Sequence, residues 1–182
     1  MTYNSEIHHR RSIRLKDYDY SRVGAYFVTV CAKDRSCLFG EIKNGTARLN
    51  EYGEIIMKCC HEIPDHFPHV RTDDFIVMPN HIHVIVFIVG ARRAVPLQTV
   101  GEQFAKPVSE SLPTIIRSFK SAVTRSSNIF RNSPGQPAWQ RNYYEHIIRD
   151  DRELQIIREY IRYNPPKWDE DKENPERTSR KM

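Results

Sequence analysis

The stretch Val77-Met78-Pro79-Asn80-His81-Ile82-His83-Val84-Ile85-Val86 constrains the fold more than any other part of the chain. It runs into the apolar segment Val84–Val89, rich in β-branched residues, and Pro79-Asn80 ahead of it is a turn signal. The pattern predicts a central strand over 81–88, joined through that turn to a strand over 74–78. Side chains alternate along a strand, so His81 and His83 share one face while Ile82 and Val84 take the other. Two imidazoles on one face, two residues apart, are a ready pair of metal ligands. By spacing alone, an H-x-H tripeptide fits two plain sheet histidines at least as well. The apolar surroundings count against that reading, because bare imidazoles in a central sheet are costly without partners.

The rest of the chain supplies elements around this pair. Ala25–Ala32 (AYFVTVCA) predicts a strand, and Asn44-Gly45 between Leu38–Glu41 and Thr46–Leu49 predicts a hairpin. Glu51–Phe67 carries Ile55, Ile56, Cys59 and Ile63 at helical spacing, with Pro64 bending or ending the helix. From Gly90 to Pro113 there is no periodicity, which reads as a long loop. Pro113 opens a helix with Ile115, Ile116, Phe119 and Val123 as its stripe, and Trp139–Ile148 reads as irregular or strand-like. A last helix, about 152–163, has Leu154, Ile157 and Ile161 on one face and stops at Pro165-Pro166. The fold class expected is α+β. Residues 1–20 form a basic arm, 21–168 a single domain, and 169–182 a charged, disordered tail.

At 182 residues the chain can build one real core. The net charge of +5 and pI near 9.1 favour an anionic partner only mildly. No segment reads as a secretory signal, Met1–Lys16 being charged throughout, and no apolar run approaches the ~18 residues of a membrane span. Cys31, Cys37, Cys59 and Cys60 show no C-x-x-C pairing and read as core thiols of a reduced, cytoplasmic protein.

A second cluster, Glu159-Tyr160-Ile161-Arg162-Tyr163-Asn164, lies on the last helix. Tyr160 and Asn164 are four residues apart and fall on one helix face. A nucleophilic tyrosine needs its hydroxyl beside a Lewis acid that binds the scissile phosphate, and an amide oxygen one turn away completes a ligand set. His81, His83 and Asn164 thus make three neutral ligands suited to Mg²⁺ or Mn²⁺, with positions left for phosphate and water. Taken singly, Tyr160 is equally a packed amphipathic tyrosine and Asn164 a helix C-terminal residue.

The string MPNHIH, followed by WQRNYYEHIIRD and then EYIRYNPPKW, resembles the REP-associated tyrosine transposases, relatives of the single-tyrosine HUH transposases of small insertion sequences. Three segments match in order, and the likeness runs from the YFVTVC strand to Trp168. The resemblance implies a ferredoxin-like antiparallel sheet of four or five strands with helices mainly on one face. It also implies that His81 and His83 hold a divalent metal, that Tyr160 is the nucleophile and that Asn164 is the third ligand. The substrate it implies is single-stranded or hairpin DNA, a repetitive extragenic palindrome, cut by transesterification through a 5′-phosphotyrosine. Insertion-sequence relatives are dimeric and the REP-associated group monomeric, so monomer or homodimer stays open.

Tyr163 is the first rival nucleophile, about 300° round the helix from Tyr160, and Tyr143 and Tyr144 rank lower for want of an amide at i+4. The basic residues expected on DNA are Arg10, Arg11 and Arg14 in the arm, Arg117, Lys120 and Arg125 near the helix after Pro113, and Arg141 and Arg149 beside the Tyr-Tyr segment. Each fits a solvated surface charge as well. Tyr18, Tyr20 and Trp139 are candidates for base stacking, although Trp139 and Trp168 fit a core better. Two other classes remain open: a non-catalytic DNA-binding protein on the same fold, and an RNA-binding sheet, which lacks its usual aromatic signature here.

Overall fold

A computed structural model describes residue 15, residues 18–90 and residues 110–179. Four strands form one antiparallel sheet: β1 (Gly24–Cys31), β4 (Val70–Val77), β5 (His81–Ile88) and β6 (Tyr144–Ile148), in the order β4-β5-β1-β6. The remaining pair, β2 (Gly40–Lys43) and β3 (Thr46–Leu49), is a separate hairpin. Its turn is Asn44-Gly45, with φ of 52° and 70°, the left-handed pair that a two-residue hairpin turn requires.

Helix α1 (Glu51–His61) and the short α2 (Ile63–His66) connect β1 to β4, while α3 (Leu112–Phe130) precedes β6. With α1 and α3 packed together, the path is the split βαββαβ arrangement of ferredoxin-like folds. Alternation assigns the two sheet faces. Tyr26, Val28 and Val30 of β1 and Ile82, Val84, Val86 and Ile88 of β5 join Ile56, Ile115, Ile116, Phe119 and Val123 in the larger core. On the opposite face, Ala25, Phe27 and Ile85 meet Leu154 and Ile161 of α4 (Asp151–Arg162). The longer helices α1 and α3 are therefore on one face, and α4 crosses the other.

Several local choices explain the boundaries. Asn50 caps α1, its side chain accepting from the backbone N–H of Tyr52 and Gly53. Pro64 ends that helix as expected, with α2 continuing one turn past it. Strand β4 begins four residues before the apolar pattern suggests. It is an edge strand, and its polar Arg71-Thr72-Asp73-Asp74 stretch holds a register shift between Thr72 and Phe75 that periodicity does not reveal. Among the cysteines, Cys60 is buried but Cys37 is exposed.

The C-terminal segment corrects an expectation. Residues 169–179 are folded rather than a disordered tail: a 3₁₀ turn over Pro165–Glu170 reverses the chain, and α5 (Pro175–Ser179) follows. Asp171, Glu173 and Asn174 are buried between them. At the other end, Tyr20 is 2% exposed, and the Tyr18 hydroxyl lies 3.3 Å from that of Tyr26, so the end of the expected arm is docked on the core.

Gly53 marks the tightest approach of α1 to the hairpin. A Cβ there would lie 2.3 Å from the Phe39 carbonyl oxygen and 2.9 Å from Leu49 Cβ. Gly53→Ala is therefore expected to destabilise by about 1–3 kcal/mol, reversing the gain of about 1 kcal/mol that alanine brings to a free helix. Urea unfolding checks the sign.

Candidate active site

The pairing of β1 with β5 sets Thr29 opposite His83 and Cys31 opposite His81, all on the α4 face of the sheet. The two imidazoles are buried with their Nε2 atoms 3.0 Å apart. Their outer nitrogens have partners. Asn80 Nδ2 donates to the carbonyls of Arg35 (2.9 Å) and Glu173 (2.7 Å), which fixes the orientation of its amide and leaves Oδ1 to accept from His81 Nδ1–H at 2.9 Å. His81 Nε2 is then bare when the ring is neutral. His83 Nδ1 is 2.8 Å from Thr29 Oγ1. Two facing ring nitrogens at 3.0 Å need either a proton or a cation between them, and the outer partners suit both cases.

Three further groups converge on this pair. The Asp171 carboxylate is 3.9 Å from His81 Nε2, and ligand atoms of His81, His83 and Asp171 all lie within 4.8 Å of one another. This buried trio can hold a metal ion. Asn164, 4% exposed, stands beside Tyr160, and its Oδ1 is buried with no hydrogen-bond partner among the described residues, a cost that a cation would remove. The Tyr160 hydroxyl is 3.4 Å from His83 Nε2, and its ring meets Phe27 edge-on at 5.9 Å. Trp168 stacks over His81 at 6.1 Å. Helix α4 is fixed across the sheet by Leu154 and Ile161 and by two ion pairs to the irregular part of β4, Arg158–Asp73 at 2.6 Å and Arg162–Asp74 at 2.7 Å.

Electrostatics follow from burial. Desolvation lowers His81 to about 4, with Lys172 and Arg35 adding to the shift and Asp171 opposing it. The same cause, with His81 and Lys172, holds His83 well below the usual histidine range. Both rings are neutral at pH 7, as metal ligation requires. The unfolded chain, with ordinary histidines, binds protons below about pH 6.5 that the folded chain refuses. Stability of the metal-free protein is thus full above that pH and falls as pH drops toward 4. Between pH 7 and 5 the expected loss from His81 is about 2 kcal/mol. Urea midpoints measured in chelator check this, and a flat profile would contradict it. The Tyr160 phenol is pushed up to about 12 by burial and by the Asp171 charge, while a hydrogen bond from the Asn164 side chain pulls the other way.

The structure brings together His81, His83, Tyr160 and Asn164, four residues predicted from sequence. Asp171, Asn80 and Thr29 were not predicted. The first lay in a segment read as tail, and the other two act through contacts that only the fold creates. Among the rival tyrosines, Tyr163 is 61% exposed at the end of α4, Tyr144 lies at the sheet edge, and Tyr143 packs against the larger core. Arg10, Arg11 and Arg14 lie outside the described residues. Arg117, Arg125, Arg141 and Arg149 are exposed. Arg125 and Arg141 line one groove of about 480 Å³ with Trp139 and Gln140. Lys120 departs from expectation: Nζ donates to the carbonyls of Gln140 (2.5 Å), Arg141 (3.2 Å) and Asn142 (3.5 Å), and burial lowers its pKa to about 8. It holds that loop rather than facing solvent. Tyr20 and Trp139, two of the stacking candidates, are buried core residues. No helix among the described residues is long and apolar enough to cross a membrane.

No protein-family model matches the chain. A protein of unassigned function from Haemophilus influenzae is 46% identical over 173 residues, covering 93% of this chain and 95% of that protein. A second Haemophilus influenzae protein, provisionally named a REP-associated tyrosine transposase, is 28% identical over 151 residues, or 82% of this chain and 74% of its own length. Among solved structures, a REP-associated tyrosine transposase bound to a REP hairpin aligns with a TM-score of 0.58 over 87% of this chain and 74% of that one, at 18% identity, and shares its fold. The chain thus resembles REP-associated tyrosine transposases in sequence over most of its length and shares the fold of one of them.

Proposed function

We propose that the protein is a metal-dependent nuclease and transposase that cuts single-stranded DNA at palindromic repeat hairpins and attaches itself through a 5′-phosphotyrosine. The observation that carries this reading is the placement of the Tyr160 hydroxyl 3.4 Å from His83 Nε2, beside the buried Asp171 carboxylate and the unpartnered Asn164 Oδ1. His81 and His83 through Nε2, Asp171 and Asn164 through oxygen would hold the ion. The donor set fits Mn²⁺ or Mg²⁺, and the unmet demands at Asn164 and between the imidazoles fit a cation. When bound, such an ion supplies Lewis-acid charge for a phosphate oxygen and offsets the Asp171 field that raises the phenol.

The chain's own residues do the rest. Tyr160 approaches phosphorus from its exposed side, 42% of its surface being open, while Phe27 and the packed face of α4 hold the ring in place. As the tyrosine oxygen–phosphorus bond forms, the bond to the 3′-oxygen breaks. The phenolic proton passes through solvent, and one proton ends on the freed 3′-hydroxyl, so the step balances and is reversible. Asn80 and Thr29 keep the two rings oriented throughout.

The test is incubation with labelled hairpin DNA taken from repeats flanking the gene, with Mn²⁺ or Mg²⁺, read on a denaturing gel. A slow protein–DNA band that disappears with EDTA is expected. DNA retained on a native gel with no covalent band across the panel would replace this reading with a non-catalytic DNA-binding protein. Hairpin recognition has its support in the likeness to a protein provisionally named a REP-associated tyrosine transposase and to the solved structure of such a transposase bound to a REP hairpin.

A further inference from the structure

The sheet face that carries the histidines continues to an open edge. Across β5, β1 and β6 the register aligns His83, Thr29 and Tyr144 in one row. Residues opposite each other across neighbouring strands point to the same face, so Tyr144 stands on the site's side, two strand spacings, about 10 Å, from His83. Its neighbour Tyr143 turns inward and packs on the larger core, whereas Tyr144 leaves 49% of its surface open. The Tyr144 ring meets Phe27 edge-on at 6.5 Å, and that same Phe27 touches both His83, at 5.2 Å, and Tyr160, at 5.9 Å. One aromatic residue thus connects the exposed ring to the proposed nucleophile.

The cation belongs to the folded C-terminal segment. Asp171 reaches the histidines, and the next residue, Lys172, carries its ammonium 5.2 Å over the Tyr144 ring. No carboxylate pairs with that ammonium among the described residues. An exposed cation resting on a tyrosine face is weakly held, and a phosphate is a stronger partner for it. The arrangement offers a π face and a free positive charge side by side, which is what an unpaired nucleotide presents in reverse.

We propose that Tyr144 and Lys172 form a nucleotide subsite for single-stranded DNA beside the reaction centre, in which an unpaired base stacks on Tyr144 and Lys172 neutralises its phosphate. The proposal rests on the reading of the protein as a single-strand nuclease and adds where the strand lies: from Tyr160, past Phe27, over the β6 edge. It also separates Tyr144 from any role as nucleophile, since the ring and not the hydroxyl is used.

The test measures binding of the full chain in EDTA, by fluorescence anisotropy, to a labelled oligothymidylate and to a strand of abasic sites of equal length. Tyr144→Ala is expected to weaken oligothymidylate binding about tenfold, Tyr144→Phe to stay within about twofold, and the abasic strand to bind wild type and Tyr144→Ala alike. Lys172→Gln is expected to reduce the slope of log affinity against log salt by about 0.7, one phosphate contact. Equal affinity of wild type and Tyr144→Ala for oligothymidylate would overturn the subsite. The same loss on the abasic strand would also overturn it, because it would mark a packing defect. Should covalent adducts fail to form while these differences hold, the nuclease reading falls and the subsite remains. Should adducts form while the differences are missing, only the subsite falls.

Discussion

Tyr160→Phe is expected to bind hairpin DNA within about twofold of wild type and to form no covalent complex with it, a loss on the order of 10⁴-fold or more for removal of a nucleophile. The substitution takes away one oxygen. The ring keeps its edge contact with Phe27, and helix α4 keeps its buried face and its ion pairs to β4, so the DNA surface and the fold are unchanged. The comparison is sharp because each rival can be tested in turn. Tyr163 is exposed at the end of α4, and Tyr144 is separated from Tyr160 by Phe27. An adduct surviving in the Tyr160→Phe protein and lost on further change of either rival would move the nucleophile there.

The second large effect needs no DNA. Saturating Mn²⁺, at about 100 times its dissociation constant, adds roughly 2.7 kcal/mol to the folded state, or an increase of roughly 5–10 °C in Tm for a domain of this size. His83→Ala is expected to abolish that increase, and Asp171→Asn to shrink it by weakening the ion about 10- to 100-fold. The quantity read is the shift on adding metal, so any change in the metal-free Tm cancels. A full shift in Asp171→Asn would remove that carboxylate from the ligand set and leave Asn164 as the oxygen donor. A full shift in His83→Ala would mean that Mn²⁺ binds elsewhere.

How far the residues declared this architecture depends on the range of the interactions involved. Strands β1 and β5, the Asn-Gly hairpin, the stop at Pro64 and the stripe of α3 follow local rules, and each stands where the sequence puts it. The H-x-H pair and the Tyr160/Asn164 spacing are also local, and the fold brings the two sets together. Asp171 is different. Its segment, Asp169-Glu170-Asp171-Lys172-Glu173-Asn174, has the composition of a solvated tail. It is ordered because the Glu173 carbonyl accepts from Asn80 and its carboxylate pairs with Arg35 at 3.1 Å, partners more than ninety positions away. Lys120 was hidden for the same reason: as a cation on an amphipathic helix it has the pattern of a solvent-facing charge, and only the loop 140–142 shows what it holds. Polar residues that bind distant backbone leave no periodic trace.

The two charge bridges between α4 and the irregular stretch of β4 have a consequence for inheritance of defects. They join the helix bearing Tyr160 to the sheet of its own chain, next to its own histidines. Every copy therefore carries the whole set of residues proposed for the reaction. On the proposed mechanism, two alleles broken at different residues, one lacking the phenol and one lacking an imidazole, are expected not to complement each other, so that a cell holding both is as deficient as a cell holding either.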